Sequence, residues 1–170
     1  MRPAQRFTMN DTFKPPENFE TLAGPRQARS EKNIDLDEAL QDLQTIKSVA
    51  AGLTRKRDDV YLLMTVIYRI GQKWLEHRVP RALRDGVVAH EKVRPDHRAK
   101  RKIFRFLIEL ACPVDTKLRS RYANALQYAR LRHCPLERLT GFIKSKGGIE
   151  KCAKKYIAHK RAVRFKRTTW

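Results

Sequence analysis

The sequence predicts an all-α fold, a compact bundle of about five to six helices with a disordered N-terminal arm and a basic C-terminal tail. Three observations carry this. Apolar residues recur at three- and four-residue spacing in successive windows between Leu36 and Tyr156. No run alternates with a period of two for long enough to form a strand, and Pro or Gly falls between the periodic windows. A chain of 170 residues has room for one core, and no internal repeat at a fixed period divides it.

Residues 1–33 carry Pro3, Pro15, Pro16 and Pro25 with few apolar side chains and no sustained period, the composition of a disordered arm. A near-neutral helical hairpin is expected over 34–77. Its first helix starts with Asp35, Asp37 and Glu38 where the helix dipole favours acids, spaces Leu36, Leu40, Leu43 and Ile46 along one face, and stops at Gly52. Its second helix runs from about Arg57 to His77 with Val60, Leu63, Met64, Ile67, Trp74 and Leu75 on one face. Tyr61, Leu62, Tyr68 and Ile70 are apolar on the others. A helix apolar nearly all round needs cover on more than one side, either from the rest of the domain, the favoured expectation, or from a second copy of the chain in a homodimer through 57–77.

A basic connector, 78–102, is punctuated by Pro80 and Pro95 and has room for one short helix. The segment 103–162 then reads as a basic helical bundle. Ile103, Phe104, Leu107, Ile108 and Ala111 form one stripe, stopped by Pro113. Asp115 caps the next helix, which reaches about His133 with Leu118, Tyr122, Ala125, Leu126 and Ala129 inward. Pro135 stands at a first helical position, Leu136, Leu139, Phe142 and Ile143 face inward, and Gly147 and Gly148 end that helix. The last helix buries Ile149, Cys152, Ala153 and Tyr156 and frays from Arg161 into the tail, 163–170.

The formal charge of +20 is far more than solubility requires. Residues 1–77 hold 12 Lys and Arg against 11 Asp and Glu, whereas 78–170 hold 26 against 7. Charge so unevenly placed belongs to a surface built by one half of the chain, and it predicts a polyanionic partner. On the helix after Asp115, Lys117, Arg121, Asn124, Tyr128 and Arg132 fall in one stripe beside the apolar face. These are types that neutralise phosphates, hydrogen-bond bases or stack on them. The segment from Cys134 to Lys160 has the helix, Gly-containing turn and helix of a helix-turn-helix unit, with Lys151, Lys154, Lys155, His159 and Lys160 on the second helix; an ordinary three-helix bundle has the same spacing. Lys144 and Lys146 precede the Gly pair, which could bring backbone close to a phosphate. Arg98, Lys100, Arg101 and Lys102 before the bundle, and Arg164, Lys166 and Arg167 after it, complete the candidate nucleic-acid contacts.

The expected function is therefore non-enzymatic nucleic-acid binding by a regulator or accessory factor. Double-stranded DNA is preferred over RNA because a helical scaffold suits the major groove. RNA stays open, since a segment such as Arg98–Arg105 can bind by shape and charge. The other alternative is an interaction protein whose basic face meets an acidic protein or an anionic membrane, with Phe104 and Phe106 beside the cations. A metal-dependent nuclease through His90, Glu91, Asp96 and His97 is the least favoured, because no second carboxylate cluster supports it. No metal or cofactor is expected: Cys112, Cys134 and Cys152 are unevenly spaced and lack a C-x-x-C pair, which also argues against a disulfide framework. The longest apolar stretch, Val60–Tyr68, is too short to cross a bilayer, and the expected location is cytoplasmic or nucleoid-associated.

Overall fold

The computed structural model describes residues 33–53, 57–93, 95–96, 99 and 102–168, apart from the side chains of Arg57 and of 166–168. The expected disordered arm, 1–33, lies outside the described residues except for Asn33. From Lys32 onward the chain forms one unit. Its described residues form α1 (Leu36–Ala51), α2 (Arg57–Glu76), α3 (Arg81–Glu91), α4 (Ile103–Ala111), α5 (Thr116–Leu131), a 3-10 turn (Leu136–Arg138), α6 (Leu139–Ser145) and α7 (Ile149–Thr168), with no strand among them.

Seven α-helices exceed the five to six expected, and the connector accounts for the difference. Pro80 does not break structure there; it occupies the cap position just before α3, where a missing N–H costs nothing. Leu83 and Val87, one turn apart, then turn α3 toward the core. Pro135 also sits at a cap, one residue outside the 3-10 turn it introduces. At the other end α7 does not fray at Arg161 but continues to Thr168, since nothing in that run is a helix breaker.

α4 is the centre. Seven of its side chains, including Phe104, Phe106, Leu107 and Ile108, are buried, and α1, α2 and α5 pack around it. Only Arg105 and Glu109 reach its surface, and they pair one turn apart. Tyr68 stacks on Phe104 with ring centroids 5.7 Å apart and 13° between planes, and Trp74 tilts against Phe106 at 6.2 Å. The Phe104 ring lies so close to the α2 backbone that a Cβ at Gly71 would come within 2.3 Å of it. Both Phe104 and Phe106 have 0 % exposure, so the expectation that they could lie on lipid fails: their packing duty is inside.

The apolar surround of α2 is likewise covered from within. Tyr61, Leu63, Met64, Ile67, Tyr68, Ile70 and Trp74 are all buried against α1, α4, α5 and α6 of the same chain, and only Leu62, at 58 %, stays exposed. The feature that suggested a homodimer through 57–77 is thus satisfied by the chain's own core. No helix of the described residues is long and apolar enough to cross a membrane.

Candidate nucleic-acid interface

α5 organises the basic half. Asp115 caps it, its carboxylate accepting from the Lys117 and Leu118 N–H groups at 2.7 and 2.9 Å. The Leu118 hydrogen bond, then that from Lys117 and the nearby cations Arg121 and Lys117, hold the carboxyl below its ordinary range. α5 buries Leu126 together with Ala123, Ala125 and Ala129, and the three small alanines let α7 pack closely along it. Three helix ends then fold the chain back. At the end of α5 the His133 N–H donates to Arg130 O and the Cys134 N–H to Ala129 O, with His133 in the left-handed region at φ 50°. α2 ends the same way at Arg78, φ 48°, and α6 at Gly147, φ 89°. Arg78 places positive charge at the negative end of the α2 dipole.

The Gly pair serves this fold-back. The Gly147 N–H donates to Lys144 O at 3.0 Å and the Gly148 N–H to Ile143 O at 2.8 Å. Both donors that might have met a phosphate are therefore engaged in capping α6, which corrects the expectation of a phosphate cradle there. The Lys151 side chain lies across the turn, 2.4 Å from where a Gly147 Cβ would be.

The stripe foreseen on α5 exists as one face. Lys117, Arg121 and Arg132 are exposed, and Asn124 and Tyr128 are half-buried. It runs past the turn and α6. Arg121 borders a depression with Gly147, Gly148 and Glu150, Tyr128 meets Phe142 with ring centroids 5.8 Å apart, and Arg132 shares a second depression with Arg138, Gly141 and Phe142. Lys146 lies over the Phe142 ring at 5.8 Å. Arg138 and Phe142 therefore belong to this surface although their spacing marked Phe142 only as core. Half a ring's exposure is not legible in a three-four repeat.

The other candidates divide by how they are paired. Lys144 is tied to Asp58 at 3.3 Å and lies over Tyr61 at 5.1 Å, and Lys154 is tied to Glu150 at 2.9 Å. Their charge is largely answered within the fold. The Lys154 hydrogen bond, reinforced by the Lys154 and Arg121 charges, holds Glu150 below its ordinary range. By contrast Lys117, Arg121, Arg132, Lys151 and Lys155 have no carboxylate within 4 Å among the described residues. Lys102 is half-buried; burial, with Lys160 and Arg105 nearby, lowers its ammonium below its ordinary value. Lys160 and Arg164 are exposed on distal α7. Arg98, Lys100 and Arg101 lie outside the described residues, as do the side chains of Lys166 and Arg167.

Two of the carboxylates considered for metal chemistry are engaged in ion pairs. Glu91 pairs with Lys47, Asp96 pairs with Arg105 at 3.0 Å, and His97 lies outside the described residues. Cys112, Cys134 and Cys152 are free and buried, and desolvation pushes the Cys112 thiol up to about 12, opposed by Arg119. Among the described residues no three His, Cys, Asp or Glu side chains cluster as metal ligands. Compared with protein-family models, with curated proteins and with solved structures, the chain matches none.

Proposed function

We propose that the protein is a non-enzymatic nucleic-acid-binding protein, a regulator or accessory factor that engages double-stranded DNA through the surface built by α5, α6 and α7. One observation carries this. From Thr116 to the C-terminus the chain holds sixteen Lys and Arg against Glu137 and Glu150 alone, and Lys117, Arg121 and Arg132 of the α5 stripe, with Lys151 and Lys155 of α7, have no carboxylate within 4 Å among the described residues. Unpaired cations on a rigid helical face lose little side-chain pairing when they meet phosphates, and they gain the entropy of released counterions. The half-exposed Tyr128 and Phe142 add an apolar, stackable centre to a positive rim.

Titration of labelled duplex DNA, single-stranded DNA, RNA and anionic vesicles at several salt concentrations tests it. Duplex affinity is expected to fall with a log-log slope of about −0.9 per phosphate neutralised. Replacing Lys117, Arg121 and Arg132 together with Ala should flatten that slope by up to about 3 units. Failure to retain duplex at low ionic strength, or stronger retention of vesicles, overturns the proposal.

A further inference from the structure

The two halves of α7 differ. Over its first two turns Cys152 and Ala153 are fully or nearly buried against α5, Tyr156 is half-buried, and Lys154 is held by Glu150. Beyond Tyr156 every described side chain, Ile157 to Phe165, is exposed, with Phe165 at 70 %. The inward stripe Ile149, Cys152, Ala153, Tyr156 would continue at Lys160, a charged residue. Lys160, Arg161, Arg164, Lys166 and Arg167 follow with no acidic residue after Glu150.

Such a segment is costly by itself. A helical segment whose described side chains, Ile157 to Phe165, are all exposed is marginal in water by itself. At its root Lys160 approaches the half-buried Lys102, so two ammonium groups are brought together. Neutralisation by a polyanion relieves both penalties.

We infer that distal α7, Ile157–Thr168, is the element that enters the major groove of duplex DNA, and that the first turns of α7 only seat it on the bundle. This rests on the duplex-binding proposal above. Twelve residues span about 18 Å and a helix with side chains is about 10–12 Å across, dimensions that match a groove about 12 Å wide. Ala158 and Ala162, one turn apart, offer close approach to base edges. Arg161 beside them reaches for the phosphates, while Lys160, on the opposite side of the helix, adds positive charge from behind. The helix-turn-helix expectation put Lys151, Lys154 and Lys155 near the start of the reading helix and His159 and Lys160 near its end; the tie of Lys154 to Glu150 and the burial of Cys152 and Ala153 favour the far end.

The test uses the full chain and two variants. Ala162→Pro keeps every cation but breaks the helix in the middle of the exposed segment, and Lys160→Gln with Arg161→Gln keeps the helix but removes two charges. In wild type, dimethyl sulfate footprinting should show protection of guanine N7, a major-groove atom, and helical circular dichroism should rise on adding duplex. Ala162→Pro should abolish the protection and weaken binding about tenfold or more, while Lys160→Gln/Arg161→Gln should lower the salt slope by up to about 2 units. Unchanged N7 protection in Ala162→Pro, or tighter binding of single strands than duplex with no protection in wild type, overturns the groove assignment while nucleic-acid binding stands. No retention of wild type on duplex at low salt fails the underlying proposal instead. Circular dichroism and unfolding of both variants, expected to match wild type over the bundle, separate loss of contact from loss of fold.

Discussion

The helices α1 to α4 and the helices α5 to α7 use charge in opposite ways. In the first group cations are spent on structure. Lys73 joins Glu38 at 2.8 Å and Asp42 at 2.9 Å, Asp42 also accepts from the Trp74 indole at 2.9 Å, Lys47 holds Glu91, and Arg105 is shared by Asp96 and Glu109. In the second group most cations stand without such partners among the described residues, and the two acids after Asp115 are far outnumbered. Evenly matched charges can be satisfied inside one chain, whereas a surplus on one face needs an answer from outside it. The same side-chain chemistry is thus cohesive in one region and receptive in the other.

This contrast breaks down if removing a charge has like effects in both regions. The largest difference is expected at Asp42. Asp42→Ala strands the buried Trp74 N–H and leaves Lys73 with Glu38 alone, so urea unfolding should show a loss of about 1–3 kcal/mol with the duplex salt slope unchanged. The Lys117, Arg121 and Arg132 substitutions should do the reverse, changing the slope and leaving the unfolding midpoint nearly still. Equal destabilisation by the two sets would remove the distinction.

Acid and alkali should separate the regions next. Asp115 has a folded pKa below its ordinary value, so its support of α5 is complete above the usual carboxylate pKa of about 4 and fades as pH falls through the depressed value. Burial alone would lower the Lys73 ammonium, but its hydrogen bonds to Glu38 and Asp42 outweigh that and raise it. Its support is complete below the usual Lys pKa of about 10.4 and fades as pH rises through the raised value. Urea midpoints across pH should lose part of the acid limb in Asp115→Ala and part of the alkaline limb in Lys73→Ala. An acid limb in Asp115→Ala that matches wild type would contradict the first assignment.

The smallest effect concerns a helix end. His133 occupies a left-handed conformation that costs a side-chain-bearing residue about 1–2 kcal/mol, and glycine adopts it freely at some cost in unfolded-chain entropy. His133→Gly should therefore raise stability by under about 1 kcal/mol. A net loss in thermal or urea unfolding would show that the imidazole at the α5 terminus contributes more than its strained backbone takes away.

Much of this architecture could be read directly from residue spacing. Asp115 announced the cap it forms, Asp35 marked the start of α1 as an acid though not as the cap it is, Gly52 and the Gly147–Gly148 pair announced ends, and the three-four repeats placed α1, α2, α4 and α5. The misses share a cause. α3 was obscured because a proline at a cap looks like a proline in a loop, and the extent of α7 because a helix without a buried face leaves no periodic trace. The α5 stripe was legible as an angular pattern, but pairing is a three-dimensional property. That Lys144 would reach Asp58, 86 positions away in sequence, has no local signal. Nor has the meeting of Tyr128 with Phe142, or of Lys102 with Lys160.

One oxygen atom ties the two regions together. The Tyr68 hydroxyl, buried in α2 and raised above its ordinary pKa mainly by desolvation, donates to Cys134 O at 2.8 Å, just where the chain leaves α5 and turns toward α6. An aromatic anchored by stacking on the central helix thereby sets the direction in which α6 and α7 are dealt out. Loosening that rivet, for example by losing only the phenolic oxygen, would let Arg132 and Arg138 drift relative to one another while every cation stayed in place. Spacing between surface charges is in this protein governed from within the apolar core.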